Sequence, residues 1–415
     1  MKITFKNTLF ATTAIVGLAI AGTAIAPTQA FAQAFEDTNN NGTIEAGEVT
    51  QLGASTAATI ASDLIYDASD ELVAEGDITV GESTTSAAAI TANGDGSTFL
   101  ISTDNSDATT TITIDGDITL ATGTTETTLN ITAAIDNNAT AEPLIVDING
   151  NVNIGTGTLT ITADTTQDDN AASALVSGNI TATEVALADD TTASASLTLD
   201  GTAAQAVNAN ITGDGDITVD NAAGATFNGT VTAGTVNIQK TTGNSSATFT
   251  DTVDVTGSTI TLGGDASATD VNTVTFNGTG GSFTVTGEIV GANGTETNNI
   301  AITGGETISF AGSASETNLS SVSITGSSTL ATNQDLTVTA ATIEAGSTLA
   351  TTANTITTDA TLATGATLLL NGGDFTGDVL GTGILDVDSS ATITGEVAAT
   401  SANIAASADL EIVTG

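Results

Sequence analysis

The sequence predicts an all-β protein, a parallel β-helix (β-solenoid) of irregular coils, and three observations carry that expectation. Aliphatic residues alternate with threonine in short runs such as Ile112-Thr113-Ile114, Leu159-Thr160-Ile161, Ile217-Thr218-Val219 and Leu336-Thr337-Val338. This is the period-two pattern of a strand with one buried face, and β-branched Val, Ile and Thr disfavour helix. A Gly-[Asp/Asn/Glu]-[Ile/Val] step recurs at Gly76, Gly116, Gly150, Gly178, Gly215, Gly287, Gly377 and Gly395, where turns are needed. Phe227-Asn228-Gly229-Thr230-Val231, Phe249-Thr250-Asp251-Thr252-Val253 and Phe276-Asn277-Gly278-Thr279-Gly280 form a second self-similar set at irregular intervals. Repeats in the twenties with irregular loops fit stacked coils of about 22 residues. A tandem of β-sandwiches would instead repeat at about 80–100 residues.

Residues 1–34 read as a cleaved signal peptide. Lys2 and Lys6 give a positive start, Leu9 to Ala26 is apolar and uncharged, and Pro27 ends the run. Ala30-Phe31-Ala32 and Ala32-Gln33-Ala34 are both small-residue cleavage sites, so cleavage is expected after Ala32 or Ala34. No later stretch is long and apolar enough to span a bilayer as a helix. The mature chain is therefore expected outside the cytoplasm, extracellular or on the cell surface.

Residues 35–72 differ in texture from the repeat region beyond them. Leu52, Ile60 and Leu64 recur at helical spacing with alanines between them, which predicts a short helix around 46–65. Ahead of it, residues 37–48 read Asp-Thr-Asn-Asn-Asn-Gly-Thr-Ile-Glu-Ala-Gly-Glu. This segment resembles the EF-hand calcium loop. The resemblance makes Asp37, Asn39 and Asn41 side-chain oxygen ligands, Thr43 a backbone-carbonyl ligand, Glu45 a direct or water-mediated ligand and Glu48 the bidentate last ligand. Gly42 supplies the sharp turn, and Ile44 stands where the family places its aliphatic residue. The implied cofactor is Ca²⁺. Cleavage of the leader leaves almost no sequence for an entering helix, so a lone loop of weak, extracellular-range affinity is implied, about 10⁻⁴–10⁻³ M. Its expected role is to tie the N-terminus to the first coil.

The repeat texture is uniform over 73–415, and Pro143 is the one proline after the leader, so few strands are interrupted. The chain closes on a strand-like run, Leu410 to Thr414, which reads as an uncapped end: the protein is expected either to continue past Gly415 or to polymerise. Gly-Asp steps at Gly94-Asp95-Gly96, Gly213-Asp214-Gly215-Asp216 and Gly263-Gly264-Asp265 hint at calcium nonapeptide repeats. They never recur in tandem every nine residues, so that family is not assigned.

Composition excludes several function classes. The chain has 48 acidic and 3 basic residues, a formal charge of −45, and two of the three cations lie in the leader. Lys240 alone remains, which excludes binding to nucleic-acid phosphates and argues against docking on an anionic membrane. It favours divalent cations as partners. With no His and no Cys, no Ser-His-Asp triad, Cys-His pair or thiolate metal site can be built. The chain is therefore not expected to be an enzyme. Stability has to come from packing, cations or assembly, since no disulfide can form.

The long acidic Thr/Ala/Gly repeat resembles bacterial surface-layer proteins and the passenger regions of autotransporter adhesins. That resemblance implies a structural cell-surface protein, surface-layer-like or filamentous, whose folding or assembly is supported by Ca²⁺, with self-association or a cell-envelope component as partner. An adhesin rod for a host surface or polysaccharide is the alternative, and an ice-binding solenoid built on Thr-x-Thr ladders is a minor one.

Overall fold

The structure, a computed structural model, describes residues 143–414 except 164–169, 190–192, 241–242, 265–268, 293–294 and 312–315, together with short segments before residue 143. The protein is almost all β, and its long parallel sheet is not closed into a barrel, the arrangement of a β-solenoid. The chain forms two compact units, residues 1–198 and 199–415.

In the first unit, three stacks of parallel strands make three sides of each coil. Ile118, Val152 and Ile180 pair in register on one side. Leu129, Leu159 and Val185 do so on the second, and Ile114, Ile148 and Val176 on the third. All nine are buried. Strands such as Leu144–Ile148 and Ala172–Val176 alternate buried and half-buried positions along their length. The aliphatic member of each Ile/Thr pair thus points inward and the hydroxyl outward, because successive side chains leave a strand on opposite faces. Parallel in-register stacking places like above like, so every inward rank is a column of aliphatics. The coil from Ile118 round to its partner Val152 is longer than the spacing of the Phe-led repeats predicts.

The expected helix over 46–65 is corrected by the structure. Val49–Gln51 is a strand that pairs antiparallel with Gln33–Phe35. Ala58–Ile60 is a strand in parallel register with Ile78–Val80. The β-branched residues Val49, Thr50, Thr59 and Ile60 suit extended backbone. A neighbouring strand that offers a full set of hydrogen bonds overrides a weak helical spacing. Residues 36–48, 52–57 and 61–70 lie outside the described residues, as do residues 1–32, and Glu71–Ala74 is a further strand.

The second unit repeats the three-sided plan with coils that vary in length, long from Val253 to Val285 and short towards its end. Thr348 pairs with Thr367 one coil on, and Ile384 with Ser401. Long strands such as Val253–Leu262 and Leu336–Ile343 turn a corner, and the register shifts at the bend. The Phe-led repeats fall on one inward rank: Phe227 pairs with Phe249, and Phe249 with Phe276. Phe227 and Phe249 stack at 4.9 Å and 10° between planes, and Phe249 and Phe276 at 5.9 Å. Phe310 meets Phe276 edge-on at 5.5 Å. All four are fully buried. Burying each ring contributes about 1.5–3 kcal/mol, and each ring pair about 0.5–1.5 kcal/mol more. On the last coils the inward ranks come to the surface. Ile393 is fully buried, while Ile412, next on its rank, is 47% exposed. Ile404 follows the buried Val387 at 49%.

Candidate functional site

The Gly-Asx steps stand at the corners, and there the side chains join one coil to the next. Gly116, Gly150 and Gly178 stack so closely that a Cβ on Gly150 would lie 2.4 Å from the carbonyl carbon of Gly116. The residues after these glycines form a ladder. Asp117 Oδ1 accepts from the backbone N–H of Asn151 at 2.6 Å and from its Nδ2 at 3.0 Å. Asn151 Oδ1 then accepts from the N–H of Asn179 at 2.9 Å. A backbone N–H at a corner points away from the regular ladder, and an Asx oxygen from the preceding coil satisfies it.

The second unit uses the same device at two corners. Asp359 Oδ1 accepts from Asp378 N–H at 3.0 Å, and Asp378 Oδ1 from Glu396 N–H at 2.8 Å. Asp335 serves Thr355 at 2.8 Å, and Asp374 serves Thr392 at 2.9 Å. Each bond spans one coil. Gly377 precedes the acceptor Asp378 and Gly395 the donor Glu396, with φ of 128° and 151°, and a Cβ on Gly395 would lie 2.1 Å from the Gly377 oxygen. Asp216, in one of the Gly-Asp steps noted in the sequence, accepts from the Thr235 hydroxyl at 2.6 Å.

Polar groups inside the second unit are also organised coil to coil. Asn272 and Asn298 are buried, and Asn272 Nδ2 donates to Asn298 Oδ1 at 3.3 Å. Glu296, 4% exposed, accepts from Gly264 N–H at 3.3 Å. Lys240 lies 3.3 Å from Asp220 Oδ1, one coil back, with both side chains about 30% exposed. Lys240, the single lysine after Lys6, is thus already engaged.

One shallow groove of the second unit is lined by Leu319, Val338, Thr357, Thr358, Asp359 and Gly377, among others. Asp359 is its sole titratable group, and that carboxylate already accepts the Asp378 N–H. The groove therefore lacks the second acid or base that paired-carboxylate chemistry requires.

One side of the second unit forms a flat without charge. Thr307, Thr329, Thr348 and Thr367 stack in register on one outward rank. Thr284, Ser309, Ala331, Ala350 and Leu369 stack on the next. Asp386, which follows Leu369, is the first carboxylate on these ranks. A neighbouring side carries a longer uncharged rank, which runs from Ala206 through Thr248, Thr275, Ala301 and Ser323 to Leu380 and Ala398. The third side is acidic: its Thr337–Thr357–Thr376 rank runs between the corner aspartates Asp335, Asp359, Asp374 and Asp378.

The residues expected to hold Ca²⁺, Asp37, Asn39, Asn41, Thr43, Glu45 and Glu48, lie outside the described residues. Among the described residues, no group of three or more Asp or Glu side chains is placed to hold a metal ion. The Gly-Asx corner was legible in the sequence as a recurring step. Its coil-to-coil bond was not, because the donor lies a whole coil further along the chain and no local spacing reveals it. The uncharged flat was missed for a similar reason: its members are one coil apart and share no motif. No family model matches the chain, and neither the curated proteins nor the solved structures contain a match.

Proposed function

We propose that this chain is a structural protein of the cell surface, surface-layer-like or filamentous, whose folding or assembly is supported by Ca²⁺. The observation that carries the reading is how the polar side chains are used. Corner aspartates and asparagines are spent on backbone N–H groups of the next coil, which serves a scaffold rather than a reaction. The strong acidity supports a dependence on divalent cations, since like-charged copies repel unless counterions lie between them. The EF-hand-like loop at 37–48 supplies one place for such an ion.

The reading is tested by imaging the surface of producing cells. A periodic layer or filament containing this chain, stripped by EDTA and restored by millimolar Ca²⁺, is the expected result. A cell surface without any ordered array, together with protein that stays monomeric at millimolar Ca²⁺, would remove the proposal.

A further inference from the structure

We infer that Asn371–Gly372 is a site of spontaneous covalent modification, where the asparagine loses its amide as ammonia through a cyclic imide. The inference stands apart from the role proposed above. An Asn-Gly step offers the least obstruction to attack by the following backbone nitrogen, because glycine carries no Cβ. Four such steps lie among the described residues: Asn149–Gly150, Asn228–Gly229, Asn277–Gly278 and Asn371–Gly372. Ring closure needs the peptide between the two residues to swing until the glycine nitrogen faces the asparagine Cγ. Packing around each step therefore decides which of the four can react.

Three of the steps are held fast. A Cβ on Gly150 would lie 2.4 Å from the Gly116 carbonyl carbon, and one on Gly229 would lie 2.4 Å from the Ala209 oxygen. Asn228 is tied as well, its Nδ2 donating to Asn208 Oδ1 at 2.7 Å. Gly278 is buried, and Asn277 Oδ1 accepts from the Thr279 N–H at 3.1 Å. Asn371–Gly372 is open by comparison. Both residues are exposed, and beyond its chain neighbours the nearest atom to a Cβ on Gly372 is the Ser389 Cβ at 3.6 Å. The step follows a register shift, where Leu370 pairs with Val387 but Asn371 with Ser389. The bond from the Ala353 N–H to the Asn371 carbonyl oxygen is long, at 3.3 Å.

Ser389 assists the step. Its Oγ donates to Asn371 Oδ1 at 3.0 Å, which polarises the amide carbonyl and stabilises the negative charge that grows on that oxygen. The Gly372 nitrogen gives its proton to water or hydroxide and bonds to Asn371 Cγ. The tetrahedral centre then collapses, and Nδ2 leaves as ammonia with a proton from solvent. Water opens the imide at either carbonyl. Addition at Cγ leaves aspartate. Addition at the main-chain carbonyl leaves isoaspartate, whose backbone runs through Cβ and Cγ. Both products set a carboxylate beside Ser389, and isoaspartate also displaces the carbonyl that Ala353 uses.

The test uses the wild-type chain, held at mildly alkaline pH in its native state and, in parallel, in concentrated urea. Digestion with pepsin at acid pH, where the ring does not form, stops the reaction. Mass spectrometry reads amide-to-acid conversion at each step, and enzymatic methylation reads isoaspartate. In urea the four steps should convert at similar rates. In the native protein, conversion at Asn371 is expected to stay within about threefold of its urea rate, while Asn149, Asn228 and Asn277 slow at least about tenfold. Protection of Asn371 equal to that of the other three would overturn the inference, as would faster native conversion at any of them. Ser389→Ala should slow the native reaction at Asn371 several-fold and leave its urea rate unchanged. A native rate indifferent to S389A would overturn the part assigned to Ser389. In Asn371→Gln the longer side chain closes its ring far more slowly, so the acid and isoaspartate signals should vanish from that peptide. Signals that persist there would place the modification elsewhere and overturn the assignment.

Discussion

Asp117 Oδ1 accepts a 2.6 Å hydrogen bond from the backbone N–H of Asn151, a residue 34 positions along the chain and one coil on. Asn151 passes the same service to Asn179. A corner of the solenoid is therefore a column of side-chain oxygens, each holding the N–H of the next coil.

This relationship predicts a local loss of protection. Asp117→Ala removes the acceptor for the Asn151 N–H, a bond worth about 1 kcal/mol at an exposed corner. Amide exchange at Asn151 should accelerate roughly five- to tenfold, with no change in amides two coils away. Asp117→Asn keeps an Oδ1 and should retain most of the protection. Equal exchange in wild type and D117A would show that the corner bond contributes nothing.

Close approach at the glycine column predicts a contrast between two glycines. Gly150→Ala forces a Cβ to within 2.4 Å of the Gly116 backbone, so the coils must separate. Gly280→Ala meets nothing nearer than the Thr250 carbonyl oxygen at 3.6 Å, an ordinary contact. G150A should unfold at a clearly lower temperature, and G280A within about 2 °C of wild type. Indistinguishable melting curves would contradict the stacking of Gly116, Gly150 and Gly178.

The phenylalanine column predicts the largest single-residue cost. Phe249 stacks on Phe227 and Phe276 and is fully buried. Phe249→Ala should destabilise the 199–415 unit by about 3–5 kcal/mol through lost burial and the cavity left behind. Phe249→Leu should cost less than half as much. Urea unfolding followed by amide exchange in that unit measures both.

The Lys240–Asp220 pair predicts a small effect. Both side chains are about 30% exposed, and solvent screens their attraction. Lys240→Met should change stability by less than about 1 kcal/mol. The difference from wild type should shrink further in 0.5 M salt. A larger loss that persists in high salt would mean that Lys240 acts by packing rather than by charge.

The calcium loop proposed at residues 37–48 predicts a ligand-dependent stability. Asp37→Ala combined with Glu48→Ala should abolish any rise in melting temperature that millimolar Ca²⁺ gives the wild-type chain. An unchanged Ca²⁺ response in the double variant would remove the loop as the site.

Much of this architecture was legible from residue order. The Ile-Thr alternation at 159–161 and 217–219 marked strands with one buried face, because a strand reports its burial at period two. The spacing of Phe227, Phe249 and Phe276 placed three residues on one rank, because coil stacking puts like above like. Coil length was legible only as an average. Loops grow by insertions that leave the ranks aligned, so the coil from Ile118 to Val152 is twice as long as the one from Ile384 to Ser401. The helix over 46–65 failed because Ala-rich spacing around Leu52 and Ile60 is a weak local preference. Pairing of Ala58–Ile60 with Ile78–Val80 outweighs it. The corner bonds and the uncharged flat could not be read, since both depend on which residues lie one coil apart.

Cation-dependent assembly of the chain is the property on which the proposed structural role depends most directly. Sedimentation velocity of the purified protein, titrated with Ca²⁺ from zero to several millimolar and back with EDTA, measures it. The prediction is a reversible shift from monomer to large assemblies as Ca²⁺ rises, lost on chelation. A single monomeric boundary at every Ca²⁺ concentration, or assemblies indifferent to EDTA, would contradict it.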